Sequence, residues 1–196
     1  FLLSGLPSCR KALDKVPHDQ VPQEYAFNTE QDFTNALRGL YNRMIITGNS
    51  AATYLPNNYL GGEDGFAWAS SPDILADNVV IASTGRRSQQ AFFQWTYSAN
   101  TTTETWRDGY QIIRLANAIL ENMDNLEDDE TGFKSNTEGE ALAARGMAHF
   151  DLLRVYAKPV SGPFAATASD PGVPYVTTTD VEAQPGRCSV RQAYDR

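Results

Sequence analysis

The sequence predicts a mainly α-helical protein, and three observations lead there. Three segments carry apolar residues at steps of three and four, the spacing that lines one face of a helix. Each segment is bounded by residues that start or stop helices. Between them run stretches rich in Gly, Pro, Asn and Ser that show no period of their own.

In chain order, residues 1–8, "FLLSGLPS", read as the end of a secretory signal, apolar first and then small, followed at once by Cys9. Leu6 lies three positions before that cysteine and Ser8 directly before it, the arrangement that guides lipidation in bacterial lipoproteins, with Pro7 a less usual neighbour. Residues 9–28, with Pro17 and Pro22, read as an extended tether. A first helix is expected from Thr29, whose side chain pairs in a capping box with Asp32, through Phe33, Leu37, Leu40, Tyr41, Met44 and Ile45 to a stop near Gly48. Residues 49–100 read as a long ordered insertion of short helical or strand pieces.

The second helix is the clearest. Trp106, Tyr110, Ile113, Asn117, Leu120 and Met123 follow helical steps, and the acidic run "EDDETG" sets the end, because carboxylates oppose the dipole at a helix C-terminus. A third helix is expected from a capping box of Ser135 and Glu138 to just before Pro159. Residues 158–186 read as irregular, and Ser189 with Gln192 opens a last helix that has fewer than two turns before Arg196. A helix that short is not stable alone, so 29–196 is expected to be the N-terminal part of a larger helical domain.

At 196 residues the chain can bury a core without staples. Its 41% apolar and 20% charged residues are those of a globular protein, and no apolar run approaches the ~20 residues that span a bilayer. The net charge of −8, with Lys and Arg scattered, argues against nucleic acid as a partner. Two cysteines, Cys9 and Cys188, form no disulfide framework. His18 and His149 lack neighbours at metal-ligand spacing, no cofactor motif is present, and Glu138 and Glu140 stand two apart on a helix, where they do not face each other as a catalytic pair would. No catalytic residues are assigned, and no enzyme is expected.

Taken together, the motifs "ALDKVP", "TEQDFTNALRGLYNRM", "TWRDGYQIIRLANAILENMD", "EGEALAARGMAHFDLLRVYAKP" and "GRCSVRQAYDR" resemble the N-terminal half of the RagB/SusD family. The most specific parts are the W-x-x-x-Y-x-x-I-x-x-x-N spacing from Trp106 to Asn117 and G-E-A-x-A-x-R from Gly139 to Arg145; Ala157 stands where the family usually has Gly. The resemblance implies tetratricopeptide-like helical hairpins in a superhelix with long irregular insertions. It also implies an outer-membrane lipoprotein, anchored through Cys9 and facing the cell exterior, that partners a SusC-like TonB-dependent transporter and captures oligosaccharides or, in some members, peptides. A helical-repeat scaffold that binds only proteins is the remaining alternative.

Saccharides present apolar C–H faces that stack on rings and hydroxyls that need planar donors and acceptors. Tyr54, Asn58, Tyr59, Asp64, Trp68, Arg86, Arg87, Trp95, Tyr97 and Asn100 supply both within the least regular segment. Tyr59, Trp68, Arg86, Trp95, Tyr97 and Asn100 are the candidate ligand contacts, against the alternative that aromatics in a long insertion form a core of their own. Trp106 and Tyr110 are expected in the core. Asn117 and Arg145, polar residues on apolar helices, are expected to bond exposed backbone carbonyls of a neighbouring segment.

Overall fold

The structure is a computed structural model that describes residues 26–45, 71–76, 78–80, 84, 90–96, 99–127 and 130–196. The elements are α1 (Glu30–Ile45), α2 (Ser71–Leu75), α3 (Gln90–Phe93), α4 (Ala99–Glu121), a 3₁₀ turn (Met123–Asn125), α5 (Phe133–Tyr156), β1 (Pro171–Pro174), β2 (Arg187–Ser189) and α6 (Val190–Tyr194). The fold class is the helical one that the sequence predicts.

Helix α1 starts where its box places it. The Thr29 amide donates to Asp32 Oδ2 at 2.9 Å, and the Asp32 amide donates to Thr29 Oγ1 at 3.3 Å. Phe33, Leu37, Leu40 and Met44 are buried, whereas Tyr41 lies at the edge of the face, 39% exposed. The stop expected near Gly48 lies outside the described residues.

Helix α4 begins seven residues before Trp106, so Asn100 belongs to its first turn and not to the irregular insertion. The Asn-Thr-Thr-Thr run is poor in helix propensity and carries no apolar period, yet adding residues to a formed helix is far easier than nucleating one. Ile112, Ile113, Ala116 and Ile119 form its buried stripe.

Helix α5 also begins before its expected start, and the Ser135–Glu138 box does not form. Gly132 takes the N-cap position with a left-handed backbone (φ 73°) and has no side chain to cap with, and the Phe133 amide donates instead to Thr131 Oγ1 at 3.3 Å. Ser135 Oγ instead donates back to the Gly132 carbonyl at 3.0 Å. Two contacts move the start forward: Phe133 packs against the core, and Lys134 Nζ donates to the Leu126 carbonyl at 2.9 Å. At the other end, Arg187 reaches from β2 to donate to the Tyr156 and Gly172 carbonyls, so it satisfies the last turn of α5 and ties the small sheet to it.

The pairings Trp106–Tyr156, Tyr110–His149 and Asn117–Arg145 run in opposite chain directions, so α4 and α5 are antiparallel. Arg43–Asp108 and Asn125–Phe27 make α1 antiparallel to α4 as well. The result is an up-down-up layer in which Ala141, Ala144 and Ala148 let α5 approach closely, with Leu152 and Leu153 completing the core. Each large aliphatic side chain buried there contributes roughly 1.5–3 kcal/mol.

Within residues 158–186, expected to be irregular, strand β1 forms, and it pairs antiparallel with β2 just beyond that stretch, Pro171 opposite Ser189 and Pro174 opposite Arg187. The box at Ser189 forms as the spacing requires: its Oγ accepts from the Gln192 amide at 3.2 Å, and its amide donates to Gln192 Oε1 at 3.0 Å. Cys188 is a free thiol whose Sγ lies 3.1 Å from the Val173 carbonyl.

Candidate functional site

Helices α4 and α5 share a polar stripe, and residues 173–179 lie along it as a strap. Tyr110, Asn117 and Glu121 come from α4 at steps of seven and four; Arg145 and His149 come from successive turns of α5. Those intervals put each set on one helix face. Tyr110 donates its hydroxyl to the Pro174 carbonyl at 2.8 Å. Burial pushes its pKa well above the ordinary tyrosine value, so it stays a donor.

Asn117, wholly buried, donates from Nδ2 to the carbonyls of Val176 (3.2 Å) and Thr178 (3.3 Å), and its Oδ1 accepts from Arg145 Nη1 at 3.0 Å. The fully used amide fixes which way round it sits. Glu121 accepts from the Thr179 amide at 2.7 Å and from the Thr179 hydroxyl. Burial acts to raise its pKa, but the bonds from Thr179 and Thr178 outweigh it and hold the carboxyl below its ordinary value.

His149 fixes the middle of the strap. Its Nδ1 sits 2.9 Å from the Arg145 carbonyl and so carries the proton, its Nε2 accepts from the Val176 amide at 3.0 Å, and its ring stacks on Tyr175 at 4.3 Å. Both nitrogens are committed as neutral imidazole, and burial lowers the pKa from 6.5 to about 4. In the unfolded chain the same residue takes up a proton near its ordinary value as the pH falls. Stability is therefore full above that value and is lost between it and about pH 4, by roughly 3 kcal/mol. Equilibrium unfolding followed across that window should show the slope in the wild type and a flatter one in His149→Gln. Asp170, held down to about 2 first by its bond to Lys158 and then by those to Thr167, adds its own loss only at lower pH.

The candidate ligand residues are placed as follows. Tyr59, Trp68, Arg86 and Tyr97 lie outside the described residues, as does Cys9. Asn100 has its backbone in the first turn of α4, and its side chain is outside what is described. Trp95 stands just after α3, where its amide donates to the Phe92 carbonyl at 3.0 Å. Its indole is 66% exposed, and its backbone is left-handed at φ 53°, an uncommon state for a bulky residue that costs on the order of 1 kcal/mol.

Trp106 and Tyr110 meet at a tilt of 51° with centroids 4.9 Å apart, Trp106 meets Tyr156 edge-on at the same distance, and both pack against the core. The strap itself and the role of His149 in it are what sequence reasoning missed. The available signal was His149 one turn after Arg145, on the face that also meets Asn117. Among the described residues no group of three or more His, Cys, Asp or Glu could hold a metal ion, and no helix is long and apolar enough to cross a membrane.

Three antiparallel helices, α1, α4 and α5, with a strap laid over the α4–α5 pair, define a helical-hairpin architecture. Residues 13–196 match the SusD-like family described as "Starch-binding associating with outer membrane", and the chain belongs to that family. Two SusD-like proteins of Formosa agariphila are each 24% identical to it, over 80% and 79% of this chain. The chain spans 29% and 27% of their lengths. Among solved structures, a SusD-like carbohydrate binding protein from Bacteroides vulgatus superposes with a TM-score of 0.63 at 21% identity, covering 86% of this chain and 33% of its own. A SusD superfamily protein from Bacteroides fragilis gives 0.65 at 18%, covering 87% and 37%. At those identities the superpositions establish the fold.

Proposed function

We propose that this protein is a non-enzymatic lipoprotein of the outer membrane that captures oligosaccharides and passes them to a SusC-like TonB-dependent transporter. The observation that carries this is Trp95: a large ring held out in solvent, in an uncommon backbone state, within a family described as starch-binding. An exposed indole offers a flat apolar face to the C–H face of a sugar, and persistent backbone strain is concentrated at functional positions. Arg86, Tyr97 and Asn100, close to it in sequence, and Tyr59 and Trp68 would supply hydrogen bonds and further stacking.

Cys9 would carry the acyl chains, each buried methylene adding about 0.8 kcal/mol of membrane affinity. Residues 9–28 would then be the tether that holds the helical domain at the exterior face. Stacking and a few hydrogen bonds give modest affinity per site, which suits release into a transporter.

Trp95→Ala should weaken oligosaccharide binding roughly tenfold in calorimetry while leaving the far-ultraviolet circular dichroism unchanged, since an exposed ring adds little to the core. Unaltered affinity in that variant would remove Trp95 from the site.

A further inference from the structure

Away from the aromatic insertion, α1 and the first turns of α5 enclose an open groove of about 340 Å³, within the size range of small-molecule sites. Tyr41 and Glu140 face each other across it and are joined by a 2.6 Å hydrogen bond from the phenol to Oε2. That bond, together with burial, raises the Tyr41 pKa to about 12, so the phenol keeps its proton, and the bond fixes the ring as one wall. Arg38, one turn before Tyr41, and Asn136, one turn before Glu140, are exposed, and their side chains have no hydrogen-bond partner among the described residues.

The floor carries the independent observation. Thr137 is only 2% exposed and lines the groove, and its hydroxyl has no partner among the described residues. A buried hydroxyl left unsatisfied costs about 1–3 kcal/mol, which a ligand hydroxyl in the groove would recover.

We propose that this groove is a second saccharide subsite, separate from the Trp95 region, that takes one neutral hexose unit; it rests on the proposal that the protein binds oligosaccharides. The chemistry selects the class. Glu140 offers only acceptors and Arg38 only donors, so an anion is repelled by the first and a cation by the second. A hydroxyl that both donates and accepts satisfies each, with the Asn136 amide and the Thr137 hydroxyl completing the set. The rings of Tyr41 and Phe133 give its C–H face apolar cover.

The test is an amide-resolved NMR titration of the full protein with methyl α-glucoside, methyl β-galactoside and methyl α-mannoside. Saturating shifts at Tyr41 and Thr137 are expected with at least one of them, unchanged in Trp95→Ala. In Glu140→Gln and in Thr137→Val the affinity should fall about tenfold, the effect of losing one good hydrogen bond. Thr137→Val should meanwhile unfold at the same or higher urea concentration, because it deletes an orphaned hydroxyl without changing shape. No shift at the groove with any of the three, or wild-type affinity in both variants, overturns the subsite. If groove binding persists while Trp95→Ala leaves oligosaccharide affinity untouched, the groove stands and the assignment of Trp95 falls. A silent groove beside a binding-deficient Trp95→Ala gives the reverse.

Discussion

Replacing Asn117 with alanine is expected to destabilise the protein by roughly 2–4 kcal/mol, because three hydrogen bonds vanish and their partners stay behind without them. The Val176 and Thr178 carbonyls and the Arg145 guanidinium all converge on that one amide, which no solvent reaches. Urea unfolding gives the total. Hydrogen exchange localises it, since the Val176 amide, bound to His149 Nε2, should lose protection when the strap lifts. Asn117→Asp should be at least as damaging: its carboxylate still accepts from Arg145 but turns an acceptor toward two carbonyls. A loss well under 1 kcal/mol in Asn117→Ala would mean that the strap is held by its ends alone.

Gly109→Ala should cost about 2 kcal/mol net. A Cβ there would stand 2.8 Å from both Cγ and Cδ2 of Leu152, closer than real atoms approach, and Leu152 is fully buried with nowhere to retreat. The helix-propensity gain from glycine to alanine, about 1 kcal/mol, has the opposite sign and is smaller than the strain of parting α4 from α5. The two contributions can be separated. In a Leu152→Ala background the space exists, and the same Gly109→Ala change should become neutral or stabilising, a reversal of sign that a coupling cycle measures directly. Equal destabilisation in both backgrounds would place the cause elsewhere.

What could be read in the sequence, and what could not, follows the range of the interactions. The caps of α1 and α6 involve partners three residues apart, so Thr29 with Asp32 and Ser189 with Gln192 carry their geometry in the local sequence. Ser135 and Glu138 have the same spacing, yet Phe133 in the core and Lys134 on the Leu126 carbonyl start α5 earlier. Asn117 and Arg145 stood out because an apolar helix face rarely carries such groups without a backbone to bond.

Asn117 does bond backbone carbonyls, but Arg145 donates to the Asn117 side chain and not to a carbonyl, and which backbone Asn117 bonds was hidden. The strap contacts join residues as far apart as Tyr110 and Pro174, and "VPYVTTTD" has neither the alternation of a strand nor the period of a helix. The close approach at Gly109 was equally silent, since glycine in a helix reads only as a weak position until the neighbouring helix is in place. For the ligand residues the sequence offers the types of side chain that sugars require, and exposure decides among them; Trp95 is the one whose exposure the structure gives.

Binding of carbohydrate is the central claim, and calorimetry of the full-length protein against oligosaccharides, starch-derived ones among them, and against short peptides tests it most directly. Saturable oligosaccharide binding with the sugar recovered uncleaved, and no response to the peptides, is the predicted result. Tight peptide binding with no oligosaccharide response, or turnover of the sugar by the pure protein, would contradict it.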